Sequence, residues 1–367
     1  MIKENSRNRV YICHTFYHAY IATVKELLLR TDDPAEKGQA DLILSTMSND
    51  FRTLPSRMAD AQVFNKIFMF DEKLPQTSAE VEACHRDRGN LILNLLQRIR
   101  YTRLLGELQA PHIPTDLAAY RDVYVFCDSD PIGYYLNLKK IRYHALEDGL
   151  NSGKLDNQAR LSNKGSFAIK ALLAKTGLIF MECGYSRYCI DYEVNDIGVN
   201  YKPPKNMIEN RCDRMYKRLT KDDHRLLVQV FLEDKEELAA LSSLPADRPK
   251  VMILTEPLCE LPVRKRLFGD VIDQYGQEGT VIIKPHPRDE LDYEKEFPGV
   301  IVIRSRFPME VMNDIEGFSV DKLISVITQV DNVNFAEHII YLGLDFLDRY
   351  EDPAIHRKME MLQNENG

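Results

Sequence analysis

The chain has 367 residues, 44% hydrophobic and 28% charged, which excludes a disordered protein and provides for two, perhaps three, domains of about 150 residues each. Its 48 Lys and Arg against 56 Asp and Glu leave a net charge of −8. A duplex-binding protein normally carries a basic excess to displace counterions, so nucleic acid is not an expected partner.

In chain order, a strand is expected at 9–13 (RVYIC), followed by a polar turn and a helix through Leu29. Further strands read at 41–46 (DLILST) and 66–70 (KIFMF), then one long amphipathic helix over 78–106 with leucines 91, 93, 95 and 96 on its apolar face. VYVFCDSD (123–130) is a strand ending in acids, and 141–146 is a shorter strand. Alternation of this kind implies parallel strands with right-handed helical crossovers, a doubly wound sheet. The stretch 153–235 is less regular, and KPPKN (202–206) cannot be helix interior because its prolines remove donors. Helical periodicity returns at 221–243, and LPADRPK (244–250) reads as a linker. The rhythm then restarts with strands at 250–255, 280–287 and 300–305, a helix near 262–276, a run at 321–330 and helix to the end. The expected fold is α/β of GT-B type, two doubly wound Rossmann-like domains with an inter-domain cleft. The domains are 1–244 and 245–345, with a helix or tail at 346–367.

Seven cysteines, at 13, 84, 127, 183, 189, 212 and 259, include no Cys-x-x-Cys pair, which argues against a disulfide framework and a zinc site. Cys13, Cys127 and Cys259 lie in or beside apolar runs and read as small buried hydrophobes. The first residues, MIKENSRNRVYICHTF, offer neither a signal-peptide core nor an apolar span. A soluble protein of a reducing compartment is expected, cytoplasmic or peripheral at the inner face of a membrane.

Gly149-Leu-Asn-Ser-Gly153-Lys154 is one residue short of a P-loop and lacks its Ser or Thr; no G-x-G-x-x-G follows a strand, and H-E-x-x-H is absent. Asp128-Ser129-Asp130 has the D-x-D form that can hold a divalent cation on a nucleotide diphosphate, and equally suits an acidic turn before Pro131. A stronger constellation has three parts. Glu147-Asp148-Gly149 ends a short strand with two acids, where a desolvated carboxylate suits a general base. Lys284-Pro285-His286-Pro287-Arg288 holds an imidazole between prolines at a strand's C-terminal end, where open α/β sheets bind ligands, and its cations suit a phosphate. Glu310 then opens a helix, and Ser325 and Thr328 follow in a strand-like run.

Together these residues resemble the bacterial GT-B sialyltransferases, especially glycosyltransferase family 52, the lipooligosaccharide sialyltransferases. Those share an acid-acid-Gly motif in the first domain, a His-Pro motif in the second, and a Glu and a Ser/Thr pair further on. The resemblance implies a metal-independent, cofactor-free, inverting transfer of sialic acid from CMP-sialic acid to a glycan hydroxyl, such as galactose of a surface oligosaccharide. On it, Asp148 is the general base and His286 assists departure of the CMP phosphate. Thr255, Glu256, Lys284, Pro287, Glu310, Ser325 and Thr328 bind the donor; His14, Thr15, Tyr17, Glu147 and Gly149 line the substrate side. The family's Ser/Thr pair stands here as Thr328-Gln329, with Ser325 a few residues away. A homodimer is within the range of such relatives. A CDP-glycerol, CDP-ribitol or CMP-Kdo transferase of the same fold and a catalytically silent glycan-binding protein are the alternatives.

Overall fold

The computed structural model describes residues 7–72, 79–86, 88–164, 166–245, 247–277 and 279–365. The chain divides into two compact units, one of 1–219 with 362–367 and one of 220–361.

In the first unit, strands β1 (Arg7–Cys13), β2 (Ala40–Ser45), β3 (Lys66–Phe70), β4 (Tyr120–Phe126), β5 (Tyr143–Leu146), β6 (Cys189–Val194) and β7 (Met207–Glu209) form one sheet. Its order is β3-β2-β1-β4-β5-β6-β7, and every pairing is parallel. Helices α1 (Phe16–Asp32), α2 (Leu54–Ala61), α3 (Ala79–His85), α4 (Leu91–Gln109), α5 (Pro131–Lys139), α6 (Gln158–Ser162), α7 (Phe167–Ala174) and α8 (Cys212–Lys217) connect the strands. Parallel strands covered on both faces are continuous apolar runs rather than alternating ones; all six residues of β2 are buried, as are Val10 to Cys13 of β1. One polar group inside this layer ties α1 to the sheet. Arg9 of β1 is buried against Glu26 of α1 (2.8 Å), which also accepts the Tyr11 hydroxyl (2.7 Å).

The second unit has β8 (Lys250–Leu254), β9 (Thr280–Lys284), β10 (Ile301–Val302), β11 (Val320–Ser325) and β12 (Ala336–Tyr341) in the parallel order β10-β9-β8-β11-β12. Helices α9 (Lys221–Phe231), α10 (Lys235–Ser242), α11 (Leu261–Tyr275), α12 (Tyr293–Glu296), α13 (Leu344–Leu347) and α14 (Pro353–His356) belong to it, and α15 (Lys358–Glu365) begins in it and ends in residues assigned to the first unit.

Two doubly wound parallel sheets of GT-B class are the expected architecture, with differences in detail. The helix expected over 78–106 is two helices. Gly89 takes a left-handed φ of 64°, and the Asn90 side chain accepts the Ile92 and Leu93 N–H groups, starting α4 afresh. Leu93 and Leu96 of its expected apolar face are exposed. The irregular middle holds β6 and β7. The strand expected at 300–305 is two residues long, and 336–341, expected as helix, is the edge strand β12. The division between units falls at 219/220 rather than near 245, because α9 and α10 pack with the second unit. His224 lies 2.8 Å from Asp314, and Glu237 accepts the Ser305 N–H (3.1 Å). Among the described residues, no helix is long and apolar enough to cross a membrane.

Candidate functional site

Each sheet reverses direction once, between β1 and β4 in the first unit and between β8 and β11 in the second. Loops at the carboxyl ends of the strands flanking such a reversal diverge and leave a crevice. Most of the residues singled out from the sequence stand at the carboxyl ends of the flanking strands or of their neighbours β5 and β9.

In the first unit, His14 and Thr15 follow β1. The Thr15 hydroxyl accepts the His18 N–H (3.1 Å) and caps α1. One turn on from His14, His18 is fully buried and stacks on Phe126 of β4, ring centroids 4.6 Å apart. Its Nδ1 accepts the backbone N–H of His14 (3.1 Å), which leaves Nε2 as the protonated nitrogen. That Nε2 lies 3.0 Å from Asp148 Oδ1 and 2.6 Å from the Asp148 carbonyl oxygen. Burial lowers the His18 pKa against the pull of Asp148, so the ring is a neutral donor. Asp148 itself follows β5 with its side chain 56% exposed. Gly149 is not left-handed, and a Cβ there would meet no heavy atom within 4 Å, so the space beside Asp148 is open.

The neighbouring acid behaves differently. Glu147 is buried, accepts the Asn195 N–H (2.8 Å) through Oε1, and holds Oε2 without a hydrogen-bond partner among the described residues. Burial pushes its pKa up to about 8. It borders a recess lined also by Tyr17, Phe126, Leu146, Asn195 and Cys212, with the Tyr17 hydroxyl 3.6 Å from the Cys212 Sγ.

Two further acids were legible only as a D-x-D pattern. Asp128 is buried; its oxygens accept the Tyr143 hydroxyl (2.8 Å) and the Cys183 N–H (2.9 Å), and burial raises its pKa to about 7. Asp130, raised by burial to about 6, lies 3.4 Å from His14 Nε2. The same nitrogen is 2.7 Å from Glu72, which also accepts the Ser45 hydroxyl and the Ile132 N–H of α5 (both 2.8 Å). Burial would lower the His14 pKa, but the Glu72 and Asp130 carboxylates outweigh it and hold the ring at about 9. Glu72 carries no motif; its sole sequence signal is an acid just past the end of β3.

In the second unit, Thr255 and Glu256 follow β8, and Lys284 to Arg288 end β9. The Thr255 hydroxyl donates to Asp289 (2.6 Å) and accepts the His286 N–H (3.2 Å). Asp289, which sequence reasoning missed, also holds Arg264 (2.8 Å) and the Tyr293 hydroxyl (2.7 Å). Together they brace the Pro285-His286-Pro287 turn. His286 Nδ1 accepts the Arg288 N–H (3.1 Å), so Nε2 is the nitrogen that carries a proton. Glu256 is buried, with its pKa raised by burial, and accepts the N–H groups of Ile327 (3.1 Å) and Thr328 (2.7 Å). The Ser325 hydroxyl donates to the Thr328 carbonyl (2.7 Å). Glu256, Ser325 and Thr328 thus form one connected turn across the β8–β11 reversal. Lys284 is buried, donates to the Phe307 carbonyl (2.8 Å), and has its pKa lowered by burial to about 8 against the Glu310 charge. Glu310 lies in a 3₁₀ turn, Met309–Asp314, buried and with a raised pKa.

A 96-residue stretch is 32% identical to an uncharacterised protein of Haemophilus influenzae, covering 23% of this chain and 31% of that protein. The chain therefore spans about a third of the length of that relative. Two solved structures share the fold. An α/β-galactoside α-2,3-sialyltransferase of Photobacterium phosphoreum aligns over 92% of this chain and 91% of its own at 11% identity, TM-score 0.52. A Photobacterium 2,6-sialyltransferase in complex with CMP and lactose aligns over 98% of this chain and 78% of its own at 10% identity, TM-score 0.56. The family profile described as glycosyltransferase family 52 matches residues 117–329, which take in β4, β5, both ends of the second sheet's reversal and every acid and histidine assigned to the chemistry by resemblance, so the chain belongs to glycosyltransferase family 52.

Proposed function

We propose that the chain transfers a sugar acid of the sialic-acid class from a CMP donor to a glycan hydroxyl, with inversion and without a metal. The observation that carries this reading is the Asp148 carboxylate, exposed at the end of β5 and held on one side by the buried, neutral His18. A fixed carboxylate with room beside it suits removal of the acceptor hydroxyl proton as that oxygen attacks the anomeric carbon. Bond formation there is matched by cleavage to the CMP phosphate oxygen. The His286 Nε2 proton is suited to neutralise the charge that develops on the departing phosphate. Thr255 and the turn linking Glu256 to Thr328 present hydroxyl and backbone groups for the nucleotide. His14, Thr15, Tyr17, Glu147 and Gly149 flank the acceptor side. Asp128 supports the metal-free reading, because Tyr143 and Cys183 already take its two oxygens.

The test is Asp148→Asn, assayed with CMP-sialic acid and a galactoside. Turnover is expected to fall at least about 10²-fold while CMP binding by calorimetry stays within twofold. A variant with wild-type turnover removes Asp148 as base. A wild-type chain that transfers from a CDP-polyol and not from CMP-sialic acid replaces the donor and leaves the fold assignment standing.

A further inference from the structure

The turn after β5 holds the chain's sole Asp-Gly pair, Asp148-Gly149. An aspartyl carboxyl is open to attack by the amide nitrogen of the residue that follows it. The attack closes a cyclic succinimide, and water reopens the ring on either side of the nitrogen. Access to the carboxyl, the bulk of the following residue and the freedom of its N–H decide whether a folded chain permits this.

All of these conditions are met at 148. The Asp148 side chain is 56% exposed. Gly149 puts no Cβ beside the incoming carboxyl, and even a Cβ there would meet no heavy atom within 4 Å. Its N–H has no hydrogen-bond partner among the described residues. His18 adds an activating contact, because its Nε2–H donates to the Asp148 carbonyl oxygen (2.6 Å). That oxygen shares a resonant peptide bond with the Gly149 nitrogen, so a donor on the oxygen draws electron density from the N–H and makes it more acidic. The acids at the end of β4 lack this combination. Asp128 is buried with its oxygens taken by Tyr143 and Cys183, and Asp130 is followed by Pro131, which has no N–H to lose.

We propose that Asp148 is a modification site, converting spontaneously to isoaspartate in the folded chain with His18 as activator. The Gly149 nitrogen loses its proton and bonds to Cγ, and the carboxyl hydroxyl leaves with a proton as water. Water then adds to the former main-chain carbonyl and breaks its bond to the nitrogen. The main chain now runs through the old side chain, and the new carboxylate is attached directly to Cα. Water leaves and water enters, so no other reactant is consumed. The isomerisation rests on the geometry of the turn alone. Its consequence, loss of transfer, rests on the reading of Asp148 as base, because the carboxylate is displaced from where that reading needs it.

The test incubates the full chain in warm, mildly acidic buffer and follows isoaspartate by peptide mapping and by methyl uptake from S-adenosylmethionine with an isoaspartyl methyltransferase. Mapping separates position 148 from Asn366-Gly367, which lies outside the described residues and would also take up methyl. Isoaspartate is expected to accumulate at 148 and not at Asp128 or Asp130. Gly149→Ala, which the open backbone position accepts, should slow it several-fold. His18→Phe, which keeps a ring against Phe126 and removes the donor, should slow it as well. Absence of isoaspartate at 148, or accumulation no faster than at Asp128, overturns the proposal. So does accumulation in His18→Phe at or above the wild-type rate. Transfer activity lost in step with isoaspartate and regained on methyltransferase repair supports both this proposal and the base assignment. Isoaspartate at 148 with undiminished transfer upholds the isomerisation and removes Asp148 as base.

Discussion

Two histidines one helical turn apart, His14 and His18, end in opposite protonation states because of what each ring meets. His14 faces two carboxylates and is held at about 9, whereas His18 meets the Phe126 face and one hydrogen-bonded acid and is pushed down by burial. The His14–Glu72 pair carries a stability signature. A histidine raised from 6.5 to about 9 contributes stability that is complete below 6.5 and is lost as pH rises through 9. Glu72, which burial would raise but His14 holds below its usual 4.5, contributes stability present above 4.5 and lost as pH falls through its folded value. Glu72→Gln should therefore cost most between pH 5 and 6.5, on the order of 3 kcal/mol. The difference from wild type in urea melts should shrink toward pH 9 to 10. A difference that stays flat across that range would show the pair to be uncharged.

At this scale the sequence was partly legible. Glu147-Asp148 stood out as two acids closing an apolar run, and His286 as an imidazole between prolines. Which acid is exposed was not readable, because it depends on Asn195, just past β6, approaching Glu147 and on His18 reaching across from α1. Glu72 and Asp289 were invisible because their importance comes from partners 25 to 60 residues away.

Elements with continuous apolar character, such as β1, β2, β4, β8 and β9, were legible because burial on both faces leaves no alternation to misread. The missed ones are edges and short pieces. β7 has three residues, and β12, with Ile339 and Tyr341 exposed, lies at the rim of its sheet. The break between α3 and α4 was missed because a helical period continues through the left-handed Gly89. Another glycine sets how closely α5 approaches its surroundings. A Cβ at Gly133 would collide with the Asp128 carbonyl oxygen and the Phe180 ring. Because that carbonyl belongs to the loop holding the Asp128 side chain, relief would require moving the end of β4. Gly133→Ala should destabilise by roughly 1–3 kcal/mol, read as a lowered Tm. An unchanged Tm would mean the loop after β4 yields freely.

For the whole chain, two parallel sheets with one reversal each were expected and found, while the division between units shifted because α9 and α10 hold to the second sheet's loops through His224 and Glu237. The transfer reading predicts how the intact protein responds to nucleotides. CMP should raise the Tm more than UDP or GDP, since ligand binding to the folded state alone stabilises by mass action, and EDTA should leave that shift unchanged. A shift seen only for UDP or GDP with Mn²⁺ or Mg²⁺ would restore the Asp128–Asp130 pair as the nucleotide site.

The first unit also takes in residues from Leu362 onward, with Leu362 itself buried. A ribosome must therefore read through all of the second unit before the first can be completed. The second unit, contiguous from 220 to 361, has no such wait. During synthesis the earlier-made half spends the longer time unfinished, with the interior strand β1 already seeking partners at Ala40 and Asp122. That half, rather than the later one, is where demand for chaperones should fall.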